Sequence, residues 1–384
     1  MNWSAFDRLS IEQLRLRRSE KWATYPPDVL PAFVAEMDFP LADPVSRALH
    51  SAVERGDCGY AWPTDIAESF CGYAKARSGW RIDPDRVVVA PDVMLGIAEV
   101  LHLTTAPGVG VVINPPVYPP FFSSIGEMGR RIVEVPLQRA QDGRWSLDVD
   151  GLERAFADGA RAYLLCNPHN PTGNVWSGDE LRRVAELAAQ YGVTVIADEI
   201  HAPLTLPGAS HVPFLSVSEA IGISAAAVTS ASKGWNIAGL KCALIVAGSP
   251  DMLRMLKTTP DETRWERVGH LGVLASIAAY RDGIEWLDAL VAYLDANRAL
   301  LVELLATNLP KVRYVPQHAG YLAWLDCTEL GLGPDPAAVF LERGRVALAR
   351  GLNFGASGAS FARLNMGTSR ALLTEAVERM RASL

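Results

Sequence analysis

Residues 225–233 have the sequence Ala-Ala-Ala-Val-Thr-Ser-Ala-Ser-Lys, a small, apolar run that ends in two hydroxyl groups and a lysine. Such a run is typical of a buried β-strand, so the lysine at its end is predicted to lie away from water. Desolvation favours the neutral, nucleophilic form of an amine. Lys233 is therefore a candidate to form a Schiff base with an aldehyde cofactor, and Ser230 and Ser232 could hydrogen-bond a phosphate. Lysines beside serines are more often solvated loop residues. Other parts of the chain must therefore indicate whether Lys233 binds a cofactor.

On both sides of this run, from about Val87 to Ile245, short β-branched segments alternate with helical stretches. This alternation predicts crossover units on a mostly parallel sheet, whose ligands gather beyond the carboxyl ends of the strands. The clearest helix is predicted from Gly178 to Tyr191, with Gly192 as its stop. The predicted strands are Val87-Ala90, Gly110-Ile113, Arg161-Leu165, Val193-Ala197, Ala226-Ser230 and Ala243-Ala247.

After about Asp282 the pattern changes and predicts a smaller α+β domain. Its predicted elements are a long helix from Ile284 to Leu305, strands near Tyr321-Leu325 and Phe361-Met366, a helix over Pro336-Arg350 and a closing helix from Ser369. The first 45 or so residues are expected to pack on this domain. The predicted division is a large α/β domain over 46–282 and a small domain formed by 1–45 and 283–384.

The composition limits the classes of protein to which this chain can belong. The chain has 384 residues, 49% hydrophobic and 21% charged, as in ordinary globular proteins. A net charge of -7 argues against a nucleic-acid surface. Residues 1–8 lack a signal-peptide pattern, and no apolar run approaches the ~18 residues of a membrane span. The cysteines lack the spacing of a metal site or a disulfide framework, so a cytoplasmic protein without metal is expected. They are Cys58, Cys71, Cys166, Cys242 and Cys327.

Two further stretches carry chemistry at predicted strand ends. Residues 167–173, Asn-Pro-His-Asn-Pro-Thr-Gly, form a turn in which the Asn170 amide can donate to a phenolate-type oxygen, although an ordinary capped turn is the alternative. Asp198 ends another apolar run. A buried carboxylate caps a helix or neutralises a cation, and the protonated nitrogen of a pyridine ring is a plausible partner. Holding that proton would make the ring an electron sink.

Four motifs in this order and spacing resemble those of the fold-type I pyridoxal phosphate enzymes of the class I/II aminotransferase superfamily. The resemblance covers nearly the whole chain and implies a seven-stranded, mostly parallel sheet in the large domain. The motifs are residues 167–173, Asp-Glu-Ile-His at 198–201, Ser-Ala-Ser-Lys at 230–233 with Lys241 eight residues later, and Phe-Ala-Arg-Leu-Asn at 361–365.

Within the superfamily, the chain is most similar to the MalY/PatB branch of carbon-sulfur β-lyases, which includes cystathionine β-lyases. The similarity lies in residues 30–40 (Leu-Pro-Ala-Phe-Val-Ala-Glu-Met-Asp-Phe-Pro), Gly59-Tyr60, residues 198–201 and residues 236–240 (Asn-Ile-Ala-Gly-Leu).

The resemblance implies a role for each matching residue around pyridoxal 5'-phosphate. Lys233 would form the Schiff base, and Asp198 would pair with the pyridine nitrogen. Asn170 and His201 would lie near the ring hydroxyl oxygen, and Tyr118 would stack on the ring. For Tyr118, a rigid proline-rich loop with an aromatic anchor is the alternative.

The phosphate is expected at the turn 91–94, where a strand passes into a helix and free N–H groups face an anion. Many relatives have small residues there and arginine at the position of Lys241, so a single ammonium would replace a two-pronged contact. The predicted contacts are the main-chain groups of Val93 and Met94 and the side chains of Ser230, Ser232 and Lys241.

Arg363 would bind the substrate's α-carboxylate, unless it forms an ion pair with an acid of the protein. Tyr60 would reach the phosphate of the neighbouring subunit in a homodimer with shared active sites. Trp235 is a candidate to shape the pocket. Lys233, Asp198, Tyr118 and Arg363 form the predicted catalytic set, and Arg363, Asn170, Tyr118 and Tyr60 the predicted substrate contacts.

The expected activity is cleavage of L-cystathionine or related S-substituted cysteines to thiol, pyruvate and ammonia. An aminotransferase, or another pyridoxal phosphate enzyme of specialised amino-acid metabolism, would use the same lysine, aspartate and arginine. A noncatalytic regulator that binds a protein partner is the third interpretation.

Overall fold

The structure is a computed structural model that describes residues 6–384. Residues 1–5, most of the stretch inspected for a signal peptide, lie outside the described part. The strands, in chain order, are β1 (Leu30–Ala32), β2 (Val87–Ala90), β3 (Gly110–Ile113), β4 (Arg131–Glu134), β5 (Gln138–Arg139), β6 (Trp145–Ser146), β7 (Ala160–Cys166), β8 (Thr194–Asp198), β9 (Ala225–Thr229), β10 (Ala243–Ala247), β11 (Arg313–Tyr314), β12 (Leu322–Asp326), β13 (Val346–Arg350) and β14 (Phe361–Asn365).

The helices cover both faces of the large sheet and one side of the smaller one. In chain order they are α1 (Ile11–Arg15), α2 (Glu20–Ala23), α3 (Asp43–Glu54), α4 (Ile66–Ser78), α5 (Val93–Thr104), α6 (Pro120–Glu127), α7 (Val149–Ala157), α8 (Gly178–Tyr191), α9 (Phe214–Ser218), α10 (Ala231–Gly234), α11 (Pro250–Leu256), α12 (Asp261–Trp265), α13 (His270–Asp282), α14 (Ile284–Asn308), α15 (Pro336–Gly344) and α16 (Arg370–Ala382). Among residues 6–384, no helix is long and apolar enough to span a membrane.

The large sheet has the strand order β2-β10-β9-β8-β7-β3-β4, and only β10 runs antiparallel to its neighbours. The predicted α/β fold with a mostly parallel seven-stranded sheet is therefore confirmed. Strands β8, β9 and β10 are buried along their whole length because helices cover both faces, as parallel sheets require. The predicted strands agree with the structure to within about a residue at each end. Strand β4, at the sheet edge, was not among them.

The smaller sheet has the order β1-β13-β14-β12-β11. Strand β1 pairs in parallel with β13, so the N-terminal part of the chain joins the C-terminal strands. The helix predicted over Pro336-Arg350 was wrong in its second half. Helix α15 ends at Gly344, Arg345 takes a left-handed conformation (φ 52°), and residues 346–350 form β13 because their backbone pairs with β1 and β14.

Two stretches connect the sheets. Residues 33–42 lead from β1 to α3, and Gly283 lies between α13 and α14. Helix α13 packs on α3 and α4 beside the large sheet, whereas α14 packs on α16 of the smaller unit. The proposed domain boundaries, 46–282 against 1–45 and 283–384, stay a prediction.

Candidate active site

Lys233 lies in the short helix α10, directly after β9. Its Nζ donates a hydrogen bond of 2.8 Å to the carbonyl oxygen of Ala35. Burial lowers the pKa of Lys233 to about 8, and the charge of Arg363 lowers it further while that of Asp198 opposes the shift. A fraction of this amine is therefore neutral near physiological pH, as the sequence predicted for a desolvated lysine.

Asp198 is the last residue of β8 and is buried. One carboxylate oxygen accepts a hydrogen bond of 3.1 Å from the backbone N–H of Ile200. Burial raises the pKa of Asp198 to about 7, which the Ile200 N–H and the charge of Lys233 partly oppose. Since the carboxyl has no ion-pair partner within 4 Å among residues 6–384, it can accept a cationic group.

Arg363 lies on β14 of the smaller sheet and is 6% exposed. Its Nη1 donates to Oδ1 of Asn170 at 3.0 Å and its Nη2 to the carbonyl oxygen of Phe33 at 2.9 Å. The guanidinium also lies over the ring of Phe354, 4.9 Å from its centroid, and its Nε has no hydrogen-bond partner among residues 6–384. Burial lowers the pKa of Arg363 to about 10.

No acid of the described chain pairs with Arg363, whose hydrogen bonds go only to neutral carbonyl groups. The sequence had left a structural ion pair open as the alternative, and the geometry argues against it. A buried guanidinium that retains an unpartnered N–H is suited to bind a carboxylate from outside the chain.

The turn at 167–173 brings Asn170 from the large sheet to Arg363. The backbone N–H of Asn170 donates to Sγ of Cys166 at 3.4 Å. Gly173 has φ +68°, and a Cβ there would lie 2.3 Å from Cβ of Gln317. Only glycine allows this close approach, so the turn packs directly against the loop before β12.

His201 and Tyr118 lie in the same electrostatic environment. His201 is buried, which lowers its pKa to about 3 with further contributions from Lys233 and Arg363, so the ring is neutral. Burial and the Asp198 carboxylate raise the pKa of Tyr118, and Arg363 opposes this shift. Both side chains are therefore within electrostatic range of the residues that define the site.

Residues around the predicted phosphate end are hydrogen-bonded within the chain. Val93 and Met94 are the first residues of α5, whose cap, Asp92, accepts a hydrogen bond of 2.9 Å from Leu95 N–H. The other Asp92 carboxylate oxygen pairs with Nζ of Lys241 at 3.1 Å. Sequence reasoning placed no role on Asp92, although an aspartate before a helix is a common cap signal.

Ser230 caps α10. Its Oγ accepts from the backbone N–H of Ser232 at 3.0 Å and donates to the carbonyl oxygen of Cys242 at 2.6 Å. Its hydroxyl proton is therefore already used in a hydrogen bond within the chain in this structure. The phosphate-binding roles of Ser230, Ser232, Lys241, Val93 and Met94 stay predictions.

Tyr60 and Trp235 have opposite surroundings within this chain. Tyr60 is 85% exposed. Trp235 is fully buried against Tyr73 and Tyr280, and its Nε1 donates to the carbonyl oxygen of Gly283 at 2.9 Å. Its indole therefore supports the junction of α13 and α14, which argues against a direct role in shaping the pocket.

Sequence reasoning missed several side-chain contacts to residues 33–37, among them those of Tyr321 and Asn236. The hydroxyl of Tyr321 donates to the Ala35 carbonyl at 2.9 Å, the same oxygen that accepts from Lys233. Asn236 hydrogen-bonds both main-chain groups of Met37. The acceptors on this segment are backbone groups, which leave no signal in a sequence.

Comparison with known proteins agrees with this arrangement. The family model of class I and II aminotransferases matches residues 58–380, and the chain belongs to this family. A Mycobacterium leprae protein provisionally named a cystathionine beta-lyase is 46% identical over 99% of this chain and 98% of its own length. Cystathionine beta-lyase PatB of Bacillus subtilis is 36% identical over 93% of each chain. The predicted resemblance to the MalY/PatB branch is confirmed.

Solved structures show the same fold. The crystal structure of cystalysin from Treponema denticola, which contains a pyridoxal 5'-phosphate cofactor, superposes with a TM-score of 0.92 at 27% identity, over 100% of this chain and 99% of cystalysin.

Proposed function

We propose that this chain is a pyridoxal phosphate-dependent carbon-sulfur β-lyase that cleaves L-cystathionine or related S-substituted cysteines to a thiol, pyruvate and ammonia. The observation that carries the proposal is that one site contains both a buried lysine of lowered pKa and a buried arginine that lacks an acidic partner in the described chain. The lysine suits the amino end of an amino acid, and the arginine suits its carboxylate. Relatives named as cystathionine beta-lyases support the choice of reaction.

The cofactor is pyridoxal 5'-phosphate, which when bound supplies an electron sink for negative charge at the substrate Cα. The residues present fit it, because Asp198 is a buried carboxyl without an ion-pair partner in the part of the chain described. Its pKa, raised in the absence of a cation, would fall beside a protonated ring nitrogen. We assign the covalent attachment to Lys233, the ring contacts to Asn170, His201 and Tyr118, and the phosphate contacts to the residues around Lys241.

Arg363 and Asn170 would hold the α-carboxylate. The guanidinium would exchange its bond to the Phe33 carbonyl for a charged oxygen, and charge-assisted hydrogen bonds are roughly twice as strong as neutral ones. Because the guanidinium is already fixed over the Phe354 ring, little side-chain entropy is lost on binding.

The amine of Lys233, freed when the substrate's amino group takes its place, would then act as the base. It takes the Cα proton, the Cβ–S bond breaks, and the sulfur leaves as a thiolate. The resulting three-carbon enamine takes up one water and gives pyruvate and ammonia, so the atoms balance. Neutral His201 and buried Tyr118 would keep water and competing charges away from this proton transfer.

We also propose that the active site is completed by a second copy of the chain and that the protein is cytoplasmic. The support for a homodimer is the exposure of Tyr60 (85%) and Trp62 (68%), large aromatic side chains that isolated monomers seldom leave in water. The support for a cytoplasmic location is that all five cysteines are free.

The test separates this lyase from an aminotransferase, which would use the same residues. Cofactor-loaded protein is incubated with L-cystathionine, with S-methyl-L-cysteine and with L-alanine, which has no leaving group, each with and without a keto acid. We expect thiol, pyruvate and ammonia from the two sulfur compounds without any acceptor, and no turnover of L-alanine alone. Turnover that needs the keto acid for every substrate would instead establish an aminotransferase.

A further inference from the structure

The two ends of the substrate site belong to different parts of the fold. Lys233 follows β9 of the seven-stranded sheet, whereas Arg363 lies on β14 of the five-stranded sheet. An amino acid must reach both groups at once, and a displacement of about 1 Å can cost roughly 100-fold in rate. Some element of the protein must therefore fix the spacing between the lysine and the arginine.

Residues 33–37, which we call the spacer segment, lie between these groups and are hydrogen-bonded from both sides. On the side of the small sheet, Arg363 binds the Phe33 carbonyl. On the side of the large sheet, Lys233 binds the Ala35 carbonyl. Because substrate would draw both Lys233 and Arg363 away from these carbonyls, other residues must hold the segment during the reaction.

Asn236 holds the spacer segment on the lysine side. Its Oδ1 accepts from Met37 N–H and its Nδ2 donates to the Met37 carbonyl, both at 2.8 Å. The side chain thus imitates a neighbouring β-strand. Asn236 is three residues after Lys233 and has a left-handed backbone (φ 58°), a conformation that asparagine tolerates better than most residues.

Asn365 holds the same segment on the arginine side. Its Nδ2 donates to the carbonyls of Val34 at 2.7 Å and Glu36 at 2.6 Å, and its Oδ1 accepts from Gly367 N–H at 2.7 Å. Asn365 lies two residues after Arg363 on β14 and points to the same face of the strand. Every polar atom of this buried amide is used.

We infer that Asn236 and Asn365 are positioning residues that clamp the spacer segment from opposite sides and so set the distance between Lys233 and Arg363. Neither asparagine needs to touch the substrate. Their bonds go to main-chain groups that remain available when Lys233 and Arg363 turn to the amino acid. This inference rests on the proposed function for its consequence, although the clamp itself can be measured without any reaction.

Asn236→Gly tests the clamp most directly, because glycine adopts the left-handed backbone without strain while both side-chain hydrogen bonds are lost. Ser360→Gly is the matched control, since Ser360 is also left-handed (φ 67°) and its hydroxyl makes only a surface bond to the Gly333 carbonyl. Asn236→Asp is a second variant, which keeps an acceptor for Met37 N–H and loses the donor.

The first measurement is hydrogen–deuterium exchange of the protein without cofactor. We expect Asn236→Gly to speed exchange of the Met37 amide about tenfold. The Asp38 amide, which donates to the Gly367 carbonyl, should change little, and Ser360→Gly should match wild type at both. Unchanged exchange at Met37 in Asn236→Gly would overturn the clamp.

The second measurement uses cofactor-loaded protein and two ligands, L-alanine with both ends and propionate with the carboxylate only. Asn236→Gly should weaken L-alanine binding about tenfold, ~1.4 kcal/mol, and leave propionate within about twofold. Asn236→Asp should fall between this variant and wild type. Equal loss of both ligands, or loss of neither, would overturn the positioning role. If wild type itself failed to bind L-alanine, the proposed function would be contradicted, and Met37 exchange alone would decide on the clamp.

Discussion

Burial controls the protonation of the residues that meet at the candidate site. Lys233 has its pKa lowered to about 8, whereas Asp198 has its pKa raised to about 7, and in both cases desolvation is the main cause. The charge of each opposes the shift of the other. These opposite shifts suit a site in which a neutral amine must attack and a carboxyl must meet a cation.

For Lys233, we predict that chemical modification of the amine in cofactor-free protein by trinitrobenzenesulfonate increases with pH around a midpoint near 8. The neutral amine is the reactive form, so the rate must rise as the pH passes the pKa. Arg363→Met should move this midpoint upward, because it removes a neighbouring positive charge. Peptide mapping by mass spectrometry gives the rate at Lys233, with the exposed Lys311 as internal reference. A midpoint unaffected by Arg363→Met would contradict the proximity of the two cations.

For Asp198, we predict that the substitution Asp198→Asn stabilises the cofactor-free protein and abolishes the activity of the cofactor-loaded enzyme. The folded protein holds the Asp198 proton more tightly than the unfolded chain, since the pKa rises from 3.8 to about 7. Wild-type stability must therefore fall as the pH rises between these values. The advantage of Asp198→Asn should grow from pH ~4 to ~7 and then level off at no more than about 4 kcal/mol, at about 1.4 kcal/mol per pKa unit.

Urea denaturation at several pH values measures this advantage. The exposed Asp158→Asn controls for the change in net charge and should show no such growth with pH. A stability of Asp198→Asn that tracks wild type at all pH values would show that the carboxyl is not desolvated.

At this scale, the sequence singled out the candidate side chains but not the groups that hold them. Lys233, Asp198 and Arg363 stand out because a polar group interrupts or ends an apolar run, and Asn170 stands out because it lies in the proline-rich turn 167–173. The carbonyl of Ala35 could not be predicted, since every residue has one and only the tertiary fold selects it. The Asp92–Lys241 pair joins residues far apart in the chain, so it too required the structure.

Among the elements, the turn between β7 and α8 packs closely against the loop before β12. A Cβ at Gly173 would lie 2.3 Å from Cβ of Gln317 and 2.9 Å from the carbonyl oxygen of Ala319, and L side chains rarely adopt its left-handed backbone. We predict that Gly173→Ala lowers the free energy of unfolding by at least about 2 kcal/mol, because backbone strain adds to overpacking. It should also weaken carboxylate binding, since the turn carries Asn170.

The matched control is Gly178→Ala in the first turn of α8, where a new Cβ meets open space and the backbone is ordinary. This variant should be neutral or slightly stabilising. Urea denaturation compares the two variants. Equal stability of Gly173→Ala and Gly178→Ala would mean that the turn does not pack as described.

Helix α8 and segment 336–350 show when element prediction succeeds. Helix α8 has a periodic apolar face, a capping box at Ser177 and Glu180, and a glycine stop, so local signals agree and its bounds were predicted. Gly344 is a local break signal before residues 346–350, but the predicted helix over 336–350 was continued through it. The strand at 346–350 depends on pairing with β1, about 315 residues earlier in the chain, and such long-range pairing cannot be inferred from local periodicity.

At the scale of the whole molecule, the single chain leaves aromatic side chains uncovered on its surface. Tyr60 and Trp62 are exposed, and Trp62 contacts Trp265 edge-on with centroids 4.6 Å apart. We predict a dimer of wild-type protein in sedimentation analysis and a monomer for Trp62→Glu, because a buried unpaired carboxylate opposes association. Leu16→Glu, at another strongly exposed apolar residue, should leave the dimer intact. A dimeric Trp62→Glu would place the interface elsewhere.

The sequence could predict the seven-stranded sheet but not its contact with the smaller sheet. The alternating pattern defines the parallel sheet, and its end near Asp282 falls close to the glycine that joins α13 to α14. By contrast, the meeting of β14 with the turn at 167–173 depends on how the spacer segment crosses between the sheets. Where the spacer segment crosses, its main-chain groups are hydrogen-bonded by asparagines that are distant in the chain. Local sequence does not encode such contacts.

The central claim is that this site, built from both sheets, removes the Cα proton and expels a thiolate. It is tested most directly by the molar ratio of pyruvate to thiol released from L-cystathionine by cofactor-loaded protein without a keto acid. We predict one pyruvate and one ammonia per thiol for wild type, and no release by Lys233→Ala. Absence of thiol and pyruvate with wild type, or equal release by Lys233→Ala, would contradict the account.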